Sequence, residues 1–83
     1  MKVKVIGSHL CPDTLFAINK LAEVKAEVEY VDILSCHEAL REYIALRETG
    51  EVYADIRGTQ RLGVPCFIRE DNSMTLDLDD ILQ

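Results

Sequence analysis

Lys2-Val3-Lys4-Val5-Ile6-Gly7-Ser8-His9-Leu10-Cys11-Pro12-Asp13-Thr14 is a strand that hands over to a helix at a cysteine. Residues 2–7 alternate Lys with Val and close on Ile6-Gly7, the period-2 pattern of a first strand. From Cys11 to Lys25 the apolar residues Leu15, Ile18, Leu21, Ala22 and Val24 recur at helical spacing, with no glycine or internal proline. Pro12 suits the first turn of that helix, where its missing N–H costs nothing. Phe16 and Ala17 widen the apolar surface and predict a helix covered on more than one side. A thiol at this junction meets the positive end of the helix macrodipole and unpaired backbone N–H groups, both of which favour the thiolate. Thr14 stands one turn later, where a dithiol Cys-x-x-Cys motif carries its second cysteine.

Outward from this stretch, Val28-Glu29-Tyr30-Val31-Asp32-Ile33 is rich in β-branched and aromatic residues and predicts a second strand. Ser35-Cys36-His37-Glu38 fits a capping box, with Ser35 as N-cap and Glu38 reaching back from the third position. A second helix follows, with Leu40, Tyr43, Ile44 and Arg47 on one face and a stop near Gly50. Val52 to Ile56 reads as a short helical turn before an irregular approach to Gly63. Val64-Pro65-Cys66-Phe67-Ile68 predicts a third strand with proline at its tolerated start. Asp71-Asn72-Ser73 predicts a turn, Met74 to Leu78 a fourth strand, and Asp79 to Gln83 at most one turn of helix. The first three elements form a βαβ unit, for which a right-handed crossover is expected. A loop of hairpin length makes the last two strands antiparallel.

The chain has 83 residues, 48% hydrophobic and 29% charged, which suits one globular domain spanning 1–83 with an economical core. A net charge of −6 argues against nucleic acid, which needs basic patches, and against anionic membrane surfaces. No apolar run has the length of a membrane span, and the N-terminal apolar stretch is too short for a signal peptide. The three cysteines do not suit a secreted disulfide framework. Thiols at rest in the cytoplasm are the expectation. Glu23, Glu27 and Glu29 read as a solvated face.

This element order, with Cys11-Pro12 after the first strand and Val64-Pro65 opening the third, resembles the glutaredoxin branch of the thioredoxin superfamily. It is most similar to the small bacterial glutaredoxin-related proteins, which carry Gly-Ser-x-x-Cys-Pro-Asp-Cys near the start and Gly-x-Pro-Cys-Phe before the hairpin. Gly7-Ser8-His9-Leu10-Cys11-Pro12-Asp13 and Gly63-Val64-Pro65-Cys66-Phe67 match these motifs in order, and the likeness covers nearly the whole chain. It implies an α/β, thioredoxin-like fold, β-α-β-α-β-β with a vestigial C-terminal helix, built on a four-stranded mixed sheet. It further implies a cis Pro65 packed near the Cys11 loop, with Val64 N–H and C=O offered to the backbone of a substrate cysteine, a short β-type addition.

The resemblance makes Cys11 the nucleophile, with Pro12 and Thr14 completing the catalytic set and Val64, Pro65, Arg61 and Asp79 binding substrate. The chain departs from the family at three places. Thr14 replaces the resolving cysteine, Ser8 stands where many glutaredoxins carry a lysine for a glutathione carboxylate, and no Gly-Gly-x-Asp stretch follows the fourth strand. The implied activity is single-cysteine thiol–disulfide exchange on mixed disulfides, with glutathione as co-substrate and an external thiol releasing the product. The expected partners are glutathione or a protein thiol or disulfide, with the chain monomeric and without a tightly bound cofactor or metal. The alternatives are a catalytically degenerate thioredoxin-fold binding module or redox sensor, and an iron–sulfur carrier, whose motif follows the cysteine with glycine where this chain has Pro12.

Several residues carry two readings. The Thr14 hydroxyl either donates to the Cys11 thiolate or bonds a backbone carbonyl of the preceding turn. Cys66 is either a resolving thiol near Cys11 or, by strand alternation, a small core residue. Cys36, at the second helix start, reads as a structural or incidental surface cysteine. His9 and His37 lack the close spacing of a zinc site and read as solvated or hydrogen-bonded. Arg57, Gln60 and Arg61 precede Val64-Pro65 and form either an anion-binding cluster or ordinary solvated loop.

Overall fold

Alternation along the first strand builds the molecule, because it sends apolar side chains to both faces of a central sheet. The computed structural model describes every residue from Met1 to Gln83. In chain order the elements are β1 (Lys2–Gly7), α1 (Pro12–Glu23), β2 (Glu27–Asp32), α2 (His37–Thr49), a 3₁₀ turn (Glu51–Tyr53), β3 (Cys66–Arg69), β4 (Met74–Thr75) and α3 (Leu78–Leu82). The strands form one mixed sheet ordered β2-β1-β3-β4. β1 runs parallel to β2, with Gly7 opposite Asp32, and antiparallel to β3, with Ile6 opposite Cys66. β3 and β4 pair as an antiparallel hairpin.

Val3 and Val5 face one side of the sheet, where they pack with Phe67, Ala17 and Leu21 of α1 and Ile81 of α3. Ile6 and Cys66 face the other side, against Ile33, Tyr43 of α2, Tyr53 and Ile56. The two helical layers therefore cover opposite faces of β1. Lys4 shares the α2 face and reaches solvent at its edge, where its ammonium pairs with Glu42 and, at 3.7 Å, with Glu29.

Element boundaries differ from the sequence reading wherever a side chain took a local backbone partner. Ser35 does not cap α2. Its hydroxyl donates to the Asp32 carbonyl at 2.7 Å, so the cap position falls to Cys36, which makes no side-chain cap hydrogen bond, and the capping box does not form. α1 stops at Glu23, and Lys25 then adopts a left-handed φ of 59°. Only Thr14, Ala17 and Leu21 of α1 are buried, while Leu15 and Phe16 are exposed, so one side of α1 is covered and not several. The buried face of α2 is Ala39 and Tyr43, whereas Leu40 and Ile44 turn outward.

The third strand starts at Cys66, leaving Val64-Pro65 ahead of it, and the fourth ends at Thr75. Thr75 Oγ1 accepts from the Asp77 N–H at 3.1 Å and donates to Asp80 Oδ2 at 2.7 Å. Asp77 in turn accepts the Asp79 N–H at 2.9 Å and caps α3, so the chain bends into a helix where a strand was expected.

The irregular approach from Gly50 to Gly63 is held by side chains that capture its carbonyls. Arg47 Nη2 donates to the carbonyls of Ile56, Thr59 and Arg61 at 3.2, 3.1 and 3.0 Å. The Tyr43 and Tyr53 hydroxyls donate to the carbonyls of Leu62 and Gly63. Gly63 has a φ of 71°, and a Cβ there would lie 2.5 Å from Tyr53 Cε1, so glycine is required on both counts. These bonds set the height and angle at which Val64 and Pro65 arrive beside β1.

Candidate functional site

Three residues, Ser8, His9 and Leu10, separate the end of β1 from the cap of α1, and each is tied down. The Cys11 N–H donates to the Ser8 carbonyl at 3.0 Å, and the Leu10 N–H to Ser8 Oγ at 3.1 Å. His9 Nδ1 lies 2.7 Å from Asp32 Oδ2, which fastens the loop to the end of β2. Partial burial acts to raise the Asp32 carboxyl, but the Leu34 N–H and the His9 ring outweigh it and hold the group below its ordinary value. Cys11 itself is the N-cap residue of α1, partly exposed, with Pro12 at the first helical position and no side-chain cap bond of its own. Its sulfur is thus uncommitted.

Thr14 is fully buried and turns toward the sheet. Its Oγ1 accepts the Ser8 N–H at 3.3 Å, and it makes no hydrogen bond to Cys11. Gly7 allows this approach, since a Cβ there would meet Thr14 Cγ2 at 2.5 Å and Oγ1 at 2.6 Å. Neither sequence-based role describes Thr14: it accepts a backbone N–H from the preceding loop and anchors the loop that carries the cysteine.

The Val64–Pro65 peptide bond is cis. Pro65 is buried and Val64 partly exposed, and neither the N–H nor the C=O of Val64 has a backbone or side-chain partner within the chain. Beside them runs a shallow groove of about 280 Å³, walled by Asp13, Phe16 and Ala17 of α1 on one side and by Val64, Pro65 and Phe67 on the other, with Leu76, Leu78 and Asp79 closing it. The structure therefore brings Val64, Pro65 and Asp79 to one groove at the first turn of α1, two residues from Cys11. Arg61 is exposed and does not line it.

The remaining candidates fall elsewhere. Cys66 is fully buried on the α2 face of the sheet, opposite the layer that carries Cys11. Burial pushes its thiol up, against a smaller opposing effect of the Tyr53 hydroxyl. Strand alternation thus turns this thiol away from Cys11. Cys36 is exposed at the start of α2, again on the opposite layer. Arg57 is engaged, with Nη1 donating to the carbonyls of Arg47 and Gly50 at 2.9 and 2.8 Å, so it does not join an anion-binding cluster. His37 opens α2 as an exposed residue, and Gln60 is exposed in the loop.

Four contributors lie outside the sequence reading of the site. Asp13 and Phe16 line the groove from helix positions that carry no motif signal beyond the Cys-Pro-Asp run. Tyr30 lies opposite Val5 in the parallel register and on the same face as Val28, toward α1. Burial, the Asp32 carboxylate and the Cys11 thiol together push its phenol up. Strand alternation from Val28 was the available signal. Asp32 could have been sought only through the parallel register that sets it beside Gly7.

The chain is similar to an uncharacterized protein of Haemophilus influenzae, 24% identical over 74 residues, which covers 89% of this chain and 86% of the relative. No family model matches the chain. No solved structure matches it either.

Proposed function

We propose that the protein is a glutaredoxin-like, single-cysteine thiol–disulfide oxidoreductase with a thioredoxin-like fold. The Cys11 thiolate attacks one sulfur of a mixed disulfide. A Cys11–substrate disulfide forms as the original S–S bond breaks, and the displaced sulfur leaves as a thiolate that takes a proton from solvent. An external thiol, glutathione being the expected one, then attacks the adduct and regenerates Cys11. No second cysteine in the chain is needed, which suits Thr14 as a buried anchor. The dependence on an external thiol suits the reducing cytoplasm.

The observation that carries this reading is the free Val64 backbone at a groove that reaches the first turn of α1, the helix capped by the partly exposed Cys11. One N–H and one C=O with no internal partner are offered where an incoming cysteine's backbone can complete them. Intact mass after treatment with oxidised glutathione tests it. The wild type and Cys36→Ser are expected to gain one glutathione, and Cys11→Ser none; absence of an adduct on Cys11 defeats the reading. A binding module or redox sensor is the second reading, favoured by Thr14 filling the resolving position as a structural residue. Adduct formation without turnover in a glutathione-coupled assay would select it.

A further inference from the structure

The groove beside Cys11 has a charge pattern that chooses between the two halves of a mixed disulfide. Its floor and walls are apolar, with Phe16, Val64, Pro65 and Leu78 among them, and its charged lining residues are Asp13 and Asp79. Both are exposed, and neither carboxylate takes part in an ion pair or hydrogen bond within the chain. Lys20, beside the groove residue Phe16, is engaged: its Nζ sits 5.5 Å from the Phe16 ring centroid and 3.4 Å from Glu23 Oε2. Arg47 and Arg57, which precede the groove in the chain, spend their guanidinium groups on backbone carbonyls. The groove is therefore apolar, negative at its rim, and without a free cation in its lining.

A glutathionyl group carries two carboxylates and one ammonium, so it brings net negative charge to two carboxylates. A polypeptide cysteine flanked by an apolar residue and a lysine or arginine brings the complement: methylenes for the floor and a cation for the rim. Resting on the thiol-exchange reading above, we infer that the groove seats a polypeptide segment of this apolar, basic kind, so that Cys11 attacks the polypeptide's sulfur and expels glutathione. In atoms, Cys11 Sγ⁻ bonds the polypeptide sulfur, the polypeptide–glutathione S–S bond breaks, and glutathione leaves as a thiolate that is protonated by solvent. Cys11 is oxidised to the mixed disulfide and glutathione is the reduced product; a glutathione thiolate then attacks the Cys11 sulfur and expels the polypeptide as its thiol, and a second one frees Cys11 as oxidised glutathione forms.

The test uses two blocked peptides of sequence Leu-Lys-Cys and Leu-Glu-Cys, each as its glutathione mixed disulfide. Each is mixed with the reduced protein, acid-quenched at early times and read by intact mass. With the lysine peptide the Cys11–peptide adduct is expected to exceed its share with the glutamate peptide by about threefold to tenfold, the effect of one exposed ion pair gained and one like-charge contact avoided. The bias is expected to shrink at high salt, because exposed charges are screened. Asp13→Asn/Asp79→Asn should abolish it, whereas Asp55→Asn, an exposed aspartate outside the groove, should keep it. Equal partition for both peptides, glutathione adducts dominating with the lysine peptide, or a bias that survives in the double variant would overturn the inference while leaving Cys11 as a nucleophile. No adduct of either kind would defeat the thiol-exchange reading with it.

Discussion

The two parallel strands end in turns of the same length, and the contrast between those turns separates local signal from site. β1 stops at Gly7 and β2 at the paired Asp32; four residues later each chain reaches a cysteine that occupies the cap of a long helix. In both, the residue three positions further is buried against the sheet, Thr14 in one case and Ala39 in the other. The local physics is shared: an extended cap residue, a helix dipole and a thiol with no cap bond. The surroundings are not. The helix that Cys11 caps shares an apolar groove with the cis Val64–Pro65 segment through Asp13, Phe16 and Ala17, while no residue of the Cys36 turn or of α2 lines that groove. A helix N-terminus is thus insufficient for a site, and the neighbouring segment supplies what is missing.

The sharpest way to break this contrast is to exchange sulfur for oxygen in each turn. Cys11→Ser is expected to lose thiol–disulfide exchange by on the order of a hundredfold or more, since a hydroxyl does not replace a thiolate nucleophile. Cys36→Ser should stay within about twofold in the same assay. If Cys36→Ser proved the damaging change, the two turns would trade roles and the site would have to be sought on the α2 layer.

Thr14→Val probes the inner anchor of the first turn. It leaves the buried Ser8 N–H without its acceptor, and a loss of about 1–3 kcal/mol is expected in urea unfolding. Thr14→Ser should recover most of this by keeping the oxygen. Gly7→Ala acts on the same contact from the strand side by overpacking it, with an expected cost of about 1–3 kcal/mol. If Thr14→Val instead kept full stability and lost Cys11 reactivity, the hydroxyl would serve the thiol and not the loop.

The smallest effect concerns Asp32, the one side chain that serves both turns, accepting from His9 on one side and from the Leu34 N–H on the other. Its carboxyl is held below the ordinary value in the folded protein. The stability it contributes is therefore present above about pH 3.9, the unfolded value, and is lost as pH falls through the lower folded value. Urea midpoints of wild type and Asp32→Asn should differ at pH 7 in favour of wild type and draw together as the pH is lowered below the unfolded value. A gap that widens on acidification would contradict the assigned direction.

Much of this was legible in the chain. The alternation of residues 2–7 and the helical spacing after Cys11 anticipated β1 and α1, and Asp71-Asn72-Ser73 anticipated the hairpin turn, where Asn72 takes a left-handed φ of 70° and Ser73 N–H donates to Asp71 Oδ1 at 2.9 Å. The differences at the element boundaries have a common cause. Ser35 was free to bond either the helix or the Asp32 carbonyl behind it, and Asp77 could continue a strand or cap a helix; one hydroxyl or carboxylate decided each boundary. The face of α2 was misjudged for another reason. Leu40 and Ile44 are apolar enough for a core, but the sheet had room for Ala39 and Tyr43, whose hydroxyl is needed at the Leu62 carbonyl.

By itself the sequence determined that an α/β sheet would form and that one cysteine would stand where a strand becomes a helix, because periodicity and helix-start chemistry act within a few residues. Only the tertiary structure decided which cysteines could matter. Ile6 paired with Cys66 turns that thiol to the α2 layer, and the Arg47, Tyr43 and Tyr53 bonds hold the segment that leads to Val64, whose unpaired backbone stands at the groove shared with the first turns of α1. Those outcomes rest on contacts between residues tens of positions apart, whose partners are chosen by packing and by the need to satisfy buried polar groups, not by local pattern.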